Sequence, residues 1–248
     1  MLDIVQKVID RSRREGLTTV LKQALPFMYN KYLRQRLPSQ AVAFNGVHVP
    51  ANHCFDSVVP FANNFPDRPT YEAVLIQSLT KHANPGEKVV IVGGGWGVSA
   101  VTAAKQVGET GEVVVYEGSQ EYTEYVEQTV RINDVTDIVS VRNRVVSHAV
   151  ALRGDEEEAP QLAPEDLPDC DVLELDCEGA ELEILQSLDI TPRIIIVETH
   201  ADYDSPETAV RYELKHLGYE IINRGIEDEE NGVFVLTASL LNKDAADK

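Results

Sequence analysis

The chain has 248 residues, 43% of them hydrophobic, and sets 41 Asp and Glu against 22 Lys and Arg for a net charge of −19; this suits one large α/β domain, or a smaller domain with extensions. Such an acidic surface repels itself and argues against nucleic-acid partners, which need a basic footprint, and because high salt screens the repulsion a halophilic source is the expectation. No run is apolar enough to span a membrane, MLDIVQKVID has no signal-peptide core, and Cys54, Cys170 and Cys177 are too few and scattered for a disulfide framework or zinc site, so a cytoplasmic setting is expected.

Residues 1–40 break the acidic balance, with eight Lys and Arg against three Asp and Glu. Two apolar stripes, Leu2, Val5, Val8 and Ile9, then Leu17, Val20, Leu21, Ala24 and Met28, predict two helices over 1–36, ended by Pro38. This basic N-terminal helical extension has two readings. It lies on an anionic membrane surface as a peripheral contact, or it packs over the acidic domain with Arg11, Arg13, Arg14, Arg34 and Arg36 offsetting carboxylates; packing is favoured. Residues 41–66 mix apolar residues with turn formers and read as an irregular lead-in. The main domain is expected over 41–240, with 241–248 as a tail.

A helix is predicted over 71–82, stopped by Asn84-Pro85-Gly86. Strands at 89–92, 112–116, 138–141, 172–175 and 194–197 then alternate with helices near 98–107, 121–132, 180–188 and 208–217. Continuous apolar strands between helices mean a parallel sheet covered on both faces. The last strands, near 219–222 and 232–236, flank an acidic turn over 224–231 and are expected to pair antiparallel. Asp155 to Glu158 and Glu227 to Glu230 read as solvated loops.

The sharpest local signal is the strand 89–92 running into Gly93-Gly-Gly95-Trp-Gly97, which opens a helix. Glycines there allow a tight turn and close backbone approach to a ligand at a strand's C-terminal end. A dinucleotide loop needs Gly or Ala three residues after Gly95, and Val98 stands there. The glycines instead run G-x-G-x-G at 93, 95 and 97, the arrangement of S-adenosyl-L-methionine sites. Twenty residues past Gly97, Glu117 ends the second strand, where a carboxylate accepts both hydroxyls of a ribose.

Asp171-Val-Leu-Glu-Leu-Asp176-Cys-Glu178-Gly179-Ala-Glu181 resembles the D-x-E-G-x-E signature of the FkbM-type methyltransferases. Tyr71-Glu72 before the first helix, Asn133, Asn143 after the third strand and Glu198-Thr-His200 at the end of the fifth match further. The resemblance covers roughly residues 65–240. It implies a class I, Rossmann-like methyltransferase: a seven-stranded, mostly parallel sheet with helices on both faces. It also implies methylation of a hydroxyl, or a carboxylate, of a saccharide or related small metabolite. Tyr71, Glu72 and Asn143 join the expected cofactor residues on that basis. The chain departs from the family at Ile91, where Asp is usual, and at Glu174, where Lys is usual. These two support the rival reading, a non-catalytic cofactor-binding relative; an NAD-dependent oxidoreductase is opposed by Val98.

Methyl transfer from a sulfonium is an in-line displacement in which positioning supplies much of the gain, and a hydroxyl acceptor needs a base to take its proton. Asp176 and Glu178 end the fourth strand, while Glu198 and His200 end the fifth, so the four are expected on one rim. Asp176 is expected to contact the cofactor's amino-acid end or orient substrate. The base is His200 or Glu198, and no metal is expected.

Overall fold

The computed structural model describes residues 28–56, 65–147, 159–203 and 205–241. The helices expected before residue 28, the acidic stretch 155–158 and most of the tail lie outside the described residues. Two units are distinguished: Met1–Ala43 with Pro50–Asp67, and Phe44–Val49 with Arg68–Lys248.

In the smaller unit, one helical turn over Tyr29–Leu33 and a 3-10 turn over Arg34–Arg36 precede a strand. The region expected to be irregular is a hairpin, β1 (Ser39–Phe44) with β2 (Val47–His53), whose residues 44–49 are counted with the larger unit; its turn, Asn45-Gly46, takes positive φ at both positions, which Asn and Gly tolerate. Asp56 organises this unit. Its carboxylate accepts from Tyr29 Oη at 2.6 Å, Arg34 Nη2 at 2.9 Å and the His53 N–H at 2.7 Å. Arg34 Nη2 also donates to the Ala51 carbonyl at 2.8 Å, so this guanidinium is buried and paired.

The larger unit is built on a seven-stranded sheet in the order β10-β11-β9-β8-β3-β4-β5. Its strands are β3 (Lys88–Val92), β4 (Glu112–Glu117), β5 (Val139–Asn143), β8 (Val172–Leu175), β9 (Ile194–His200), β10 (Tyr219–Asp228) and β11 (Val233–Leu240); two short strands, β6 (Val145–Val146) and β7 (Gln161–Leu162), pair separately. The five strands from β5 to β9 are parallel, and β11 runs antiparallel to both β9 and β10. Helices are α1 (Ala73–His82), α2 (Val98–Val107), α3 (Gln120–Ile132), α4 (Glu181–Gln186) and α5 (Glu207–His216). No helix among the described residues is long and apolar enough to cross a membrane.

Strand alternation divides the core. Val90, Val92, Leu173, Leu175, Ile195 and Val197 face α4 and α5, packing on Ile184, Leu185, Val210 and Leu214. Val89, Ile91, Val113, Val115 and Ile196 are equally buried and, by the period of two, face α1, α2 and α3. Glu174 lies on this second face, between Ile91 and Ile196 in register, so the two family departures, Ile91 and Glu174, are neighbours on adjacent strands.

The acidic turn expected over 224–231 is shorter. Arg224 to Asp228 continue β10, and the turn reverses at Gly232, with φ 66°. An edge strand tolerates charge on its open side, and that hid the strand in the composition.

Candidate active site

The sheet order reverses between β3 and β8, and in open α/β sheets the crevice at such a point receives the ligand. The glycine loop follows β3 here. Gly93 has φ 100°, and a Cβ on it would overlap the Asp176 carbonyl oxygen, so only glycine lets the ends of β3 and β8 meet. Gly97 starts α2 at φ 79° with Val126 and Thr129 of α3 against it. Gly95 differs: a Cβ there would find only Tyr71 Oη, at 3.9 Å. The loop is therefore packed at Gly93, Gly94 and Gly97 and open at Gly95, the position left free for close approach of a ligand.

Glu117, buried at the end of β4, braces the loop. Its Oε2 accepts from the N–H of Gly94 at 2.9 Å and Gly95 at 3.1 Å, and its Oε1 from Ser119 N–H at 2.7 Å. These bonds hold the carboxylate beside the loop. Asn143, expected among the cofactor residues, spends its amide on the turn behind Glu117: Nδ2 donates to the Glu117 carbonyl at 3.0 Å and Thr123 Oγ1 at 3.1 Å. Tyr71 is brought to the loop, with its ring 4.9 Å from Phe44. Glu72 precedes α1 in the left-handed region, at φ 46°. Trp96 is a packing residue, stacked on Tyr125 at 4.7 Å and edge-on to Tyr122 at 5.7 Å. Asn133 ties the chain at His48, donating to its carbonyl at 2.8 Å.

Beside this loop stand Asp176, Glu198 and His200. One ligand-type atom from each lies within 4.8 Å of the others. His200 Nε2 is 3.4 Å from Glu198 Oε1 and 3.8 Å from Asp176 Oδ1. Glu198 Oε2 is buried with no hydrogen-bond partner. Glu178 does not join this group. It occupies φ 54° in the turn after β8, and the turn's N–H groups are taken by another residue.

That residue is Glu181, for which the sequence suggested no role. It is fully buried in the first turn of α4 and accepts from Cys177 N–H at 3.0 Å and Gly179 N–H at 2.9 Å, while meeting His200 Nδ1 at 3.0 Å. Its place in the D-x-E-G-x-E motif was the only signal. Ser205 was also missed, and nothing in the sequence marked it. Its Oγ donates to the Gly179 carbonyl at 3.1 Å and accepts from Leu182 N–H at 3.2 Å, and its backbone pairs with His200.

Burial favours a neutral His200 ring, but Glu181, Glu198 and Asp176 outweigh it and push the ring up to about 10. Asp176 is raised by burial first and then by Glu198 and Glu72. Glu181 is held low because bonds from His200 and the turn outweigh its burial. Glu174 is raised well above the carboxylate range, chiefly by burial, against a bond with Ser99.

The strand order and the crevice define a class I methyltransferase fold. Residues 58–221 match the model of the methyltransferase FkbM domain, and the chain belongs to that family. Membership of a methyltransferase family makes S-adenosyl-L-methionine its cofactor. Among solved structures, a Pyrococcus horikoshii protein named as a transferase superposes with TM-score 0.53 at 18% identity, over 81% of this chain and 71% of that one. A precorrin-6y C5,15-methyltransferase from Geobacter metallireducens gives 0.49 at 17% identity over 72% and 93%. A SAM-dependent O-methyltransferase from Thermotoga maritima gives 0.48 at 13% identity over 83% and 79%. A search of curated proteins returned no match.

Proposed function

We propose that the protein methylates a hydroxyl oxygen of a saccharide or related small metabolite. The observation that carries this is Glu198: a buried carboxylate with one oxygen unpartnered, grouped with Asp176 and His200 beside the glycine loop. An acceptor hydroxyl gives its oxygen to the methyl and its proton to a base, and Glu198 Oε2 is the acceptor left open for that proton. His200, fixed through Nδ1 by Glu181, turns Nε2 toward Glu198 and Asp176 and orients them. Gly93, Gly95 and Gly97 line the cofactor crevice, with Glu117 placed for a ribose diol and Tyr71, Glu72 and Asp176 at its open side. Bound there, the cofactor supplies an electrophilic methyl on a sulfonium. The acidic surface favours a small acceptor over a polyanion.

Calorimetry with adenosylhomocysteine tests the crevice, and the reading fails if the folded chain does not bind it. Radiolabelled S-adenosyl-L-methionine incubated with host glycan, lipid and small-molecule fractions then identifies the acceptor. Label is expected in an alkali-stable ether of a glycan or small-molecule fraction, and Glu198→Gln is expected to lower turnover about 10²–10⁴-fold.

A further inference from the structure

We propose that Asp176, Glu198 and His200 form a seat for one divalent cation of the first-row class, which accepts imidazole and carboxylate ligands together. Three independent features of the cluster point to a cation. The first is spacing. His200 Nε2 and Glu198 Oε1 stand 3.4 Å apart, and Asp176 Oδ1 is 3.8 Å from the same nitrogen; two ligands about 2.1 Å from a tetrahedral centre stand about 3.4 Å apart.

The second is the orientation of the imidazole. Glu181 is fully buried and accepts N–H bonds from Cys177 and Gly179, so it meets His200 Nδ1 as an acceptor and places a ring proton on that nitrogen. Nε2 is thereby turned toward the two remaining carboxylates. A carboxylate behind a histidine whose other nitrogen faces acidic groups is the arrangement that fixes a metal-binding tautomer. The third is the orphan. Glu198 is only 8% exposed, yet its Oε2 has no partner, and a desolvated carboxylate oxygen of this kind calls for one. A metal ion seated among the three groups would draw them inward and give Oε2 a partner.

The seat lies at the C-terminal rim next to the glycine loop, where Asp176 touches Gly93. On the methyl-transfer reading, a metal held there would offer a coordination position to the acceptor oxygen and would ease transfer of its proton to the Glu198 carboxylate. That clause rests on the proposed function; the seat itself does not.

The test uses the full chain dialysed against chelator, titrated with Mn²⁺ and read by electron paramagnetic resonance, with and without adenosylhomocysteine. One Mn²⁺ per chain is expected. Glu198→Gln and His200→Gln are each expected to abolish it. Glu181→Gln, altering a positioning residue, is expected to weaken it about 10–100-fold. Circular dichroism reports whether each variant folds, and Asp176→Asn replaces any that does not. No stoichiometric Mn²⁺ or Zn²⁺ at millimolar concentration, or binding indifferent to all these substitutions, overturns the proposal. So does displacement of Mn²⁺ by adenosylhomocysteine, which would show the cofactor's own ammonium group filling the seat. Mn²⁺ bound and lost as expected in a chain that ignores adenosylhomocysteine upholds the seat and removes the methyl-transfer reading instead.

Discussion

Glu174 is 1% exposed on a central strand, flanked by Ile91 and Ile196, with one carboxyl oxygen unpartnered. Burial raises its pKa, so the folded state holds a proton that the unfolded chain releases above its ordinary value. The folded state binds more protons, and stability contributed at low pH is lost as pH rises, by up to about 1.4 kcal/mol per pH unit. Glu174→Gln removes this loss. Its melting temperature is expected to exceed the parent's at pH 8 by several degrees, with the advantage shrinking toward pH 5; equal melting curves at both pH values would contradict the burial argument. The glycines make a second contrast at this scale. Gly93→Ala places a methyl onto the Asp176 carbonyl at positive φ and is expected to abolish folding. Gly95→Ala meets open space and is expected to cost only about 1 kcal/mol by denaturant titration while weakening adenosylhomocysteine binding.

Two ion pairs show how burial sets the worth of a charge within an element. Asp56 is held below the usual carboxylate range because bonds from Arg34, Tyr29 and the His53 N–H outweigh its burial. Its folded pKa is depressed, so the stability it supplies is present above the unfolded value and lost as pH falls through the folded one. Arg34→Ala strands a buried carboxylate and is expected to cost about 3–5 kcal/mol by denaturant unfolding of the full chain. Arg224, which pairs with Glu207 at 2.8 Å on the surface, is expected to change stability by less than about 1 kcal/mol when replaced by Ala. These elements were unevenly legible. The strand 172–175 and helix 98–107 match their expected bounds, because each is almost continuously buried and ends at a turn former or a polar break. The hairpin β1 and β2 was not legible as such, since polar and turn-forming residues interrupt its alternation.

At the scale of the molecule, the net charge of −19 makes stability a function of salt. The Debye length falls from about 10 Å at 0.1 M to about 3 Å at 1 M. The melting temperature is therefore expected to climb steadily between 0.1 and 2 M KCl, and a flat or falling profile would remove the halophilic reading. The basic residues 1–40 remain a proposed covering extension; flotation with anionic liposomes at high salt tests the membrane alternative, which requires co-flotation. Within the smaller unit, Arg34 is paired with Asp56.

The sequence by itself determined the parallel sheet, the glycine loop, Glu117 at the end of its strand and the family motif, because each is written in consecutive residues whose spacing records one local geometry. Only the tertiary structure decided that Glu181 holds the turn after β8. It alone set His200 between three carboxylates and Ile91 beside Glu174. Those relations depend on strand order and register, which bring together side chains dozens of residues apart, and no local periodicity encodes which strand becomes which neighbour.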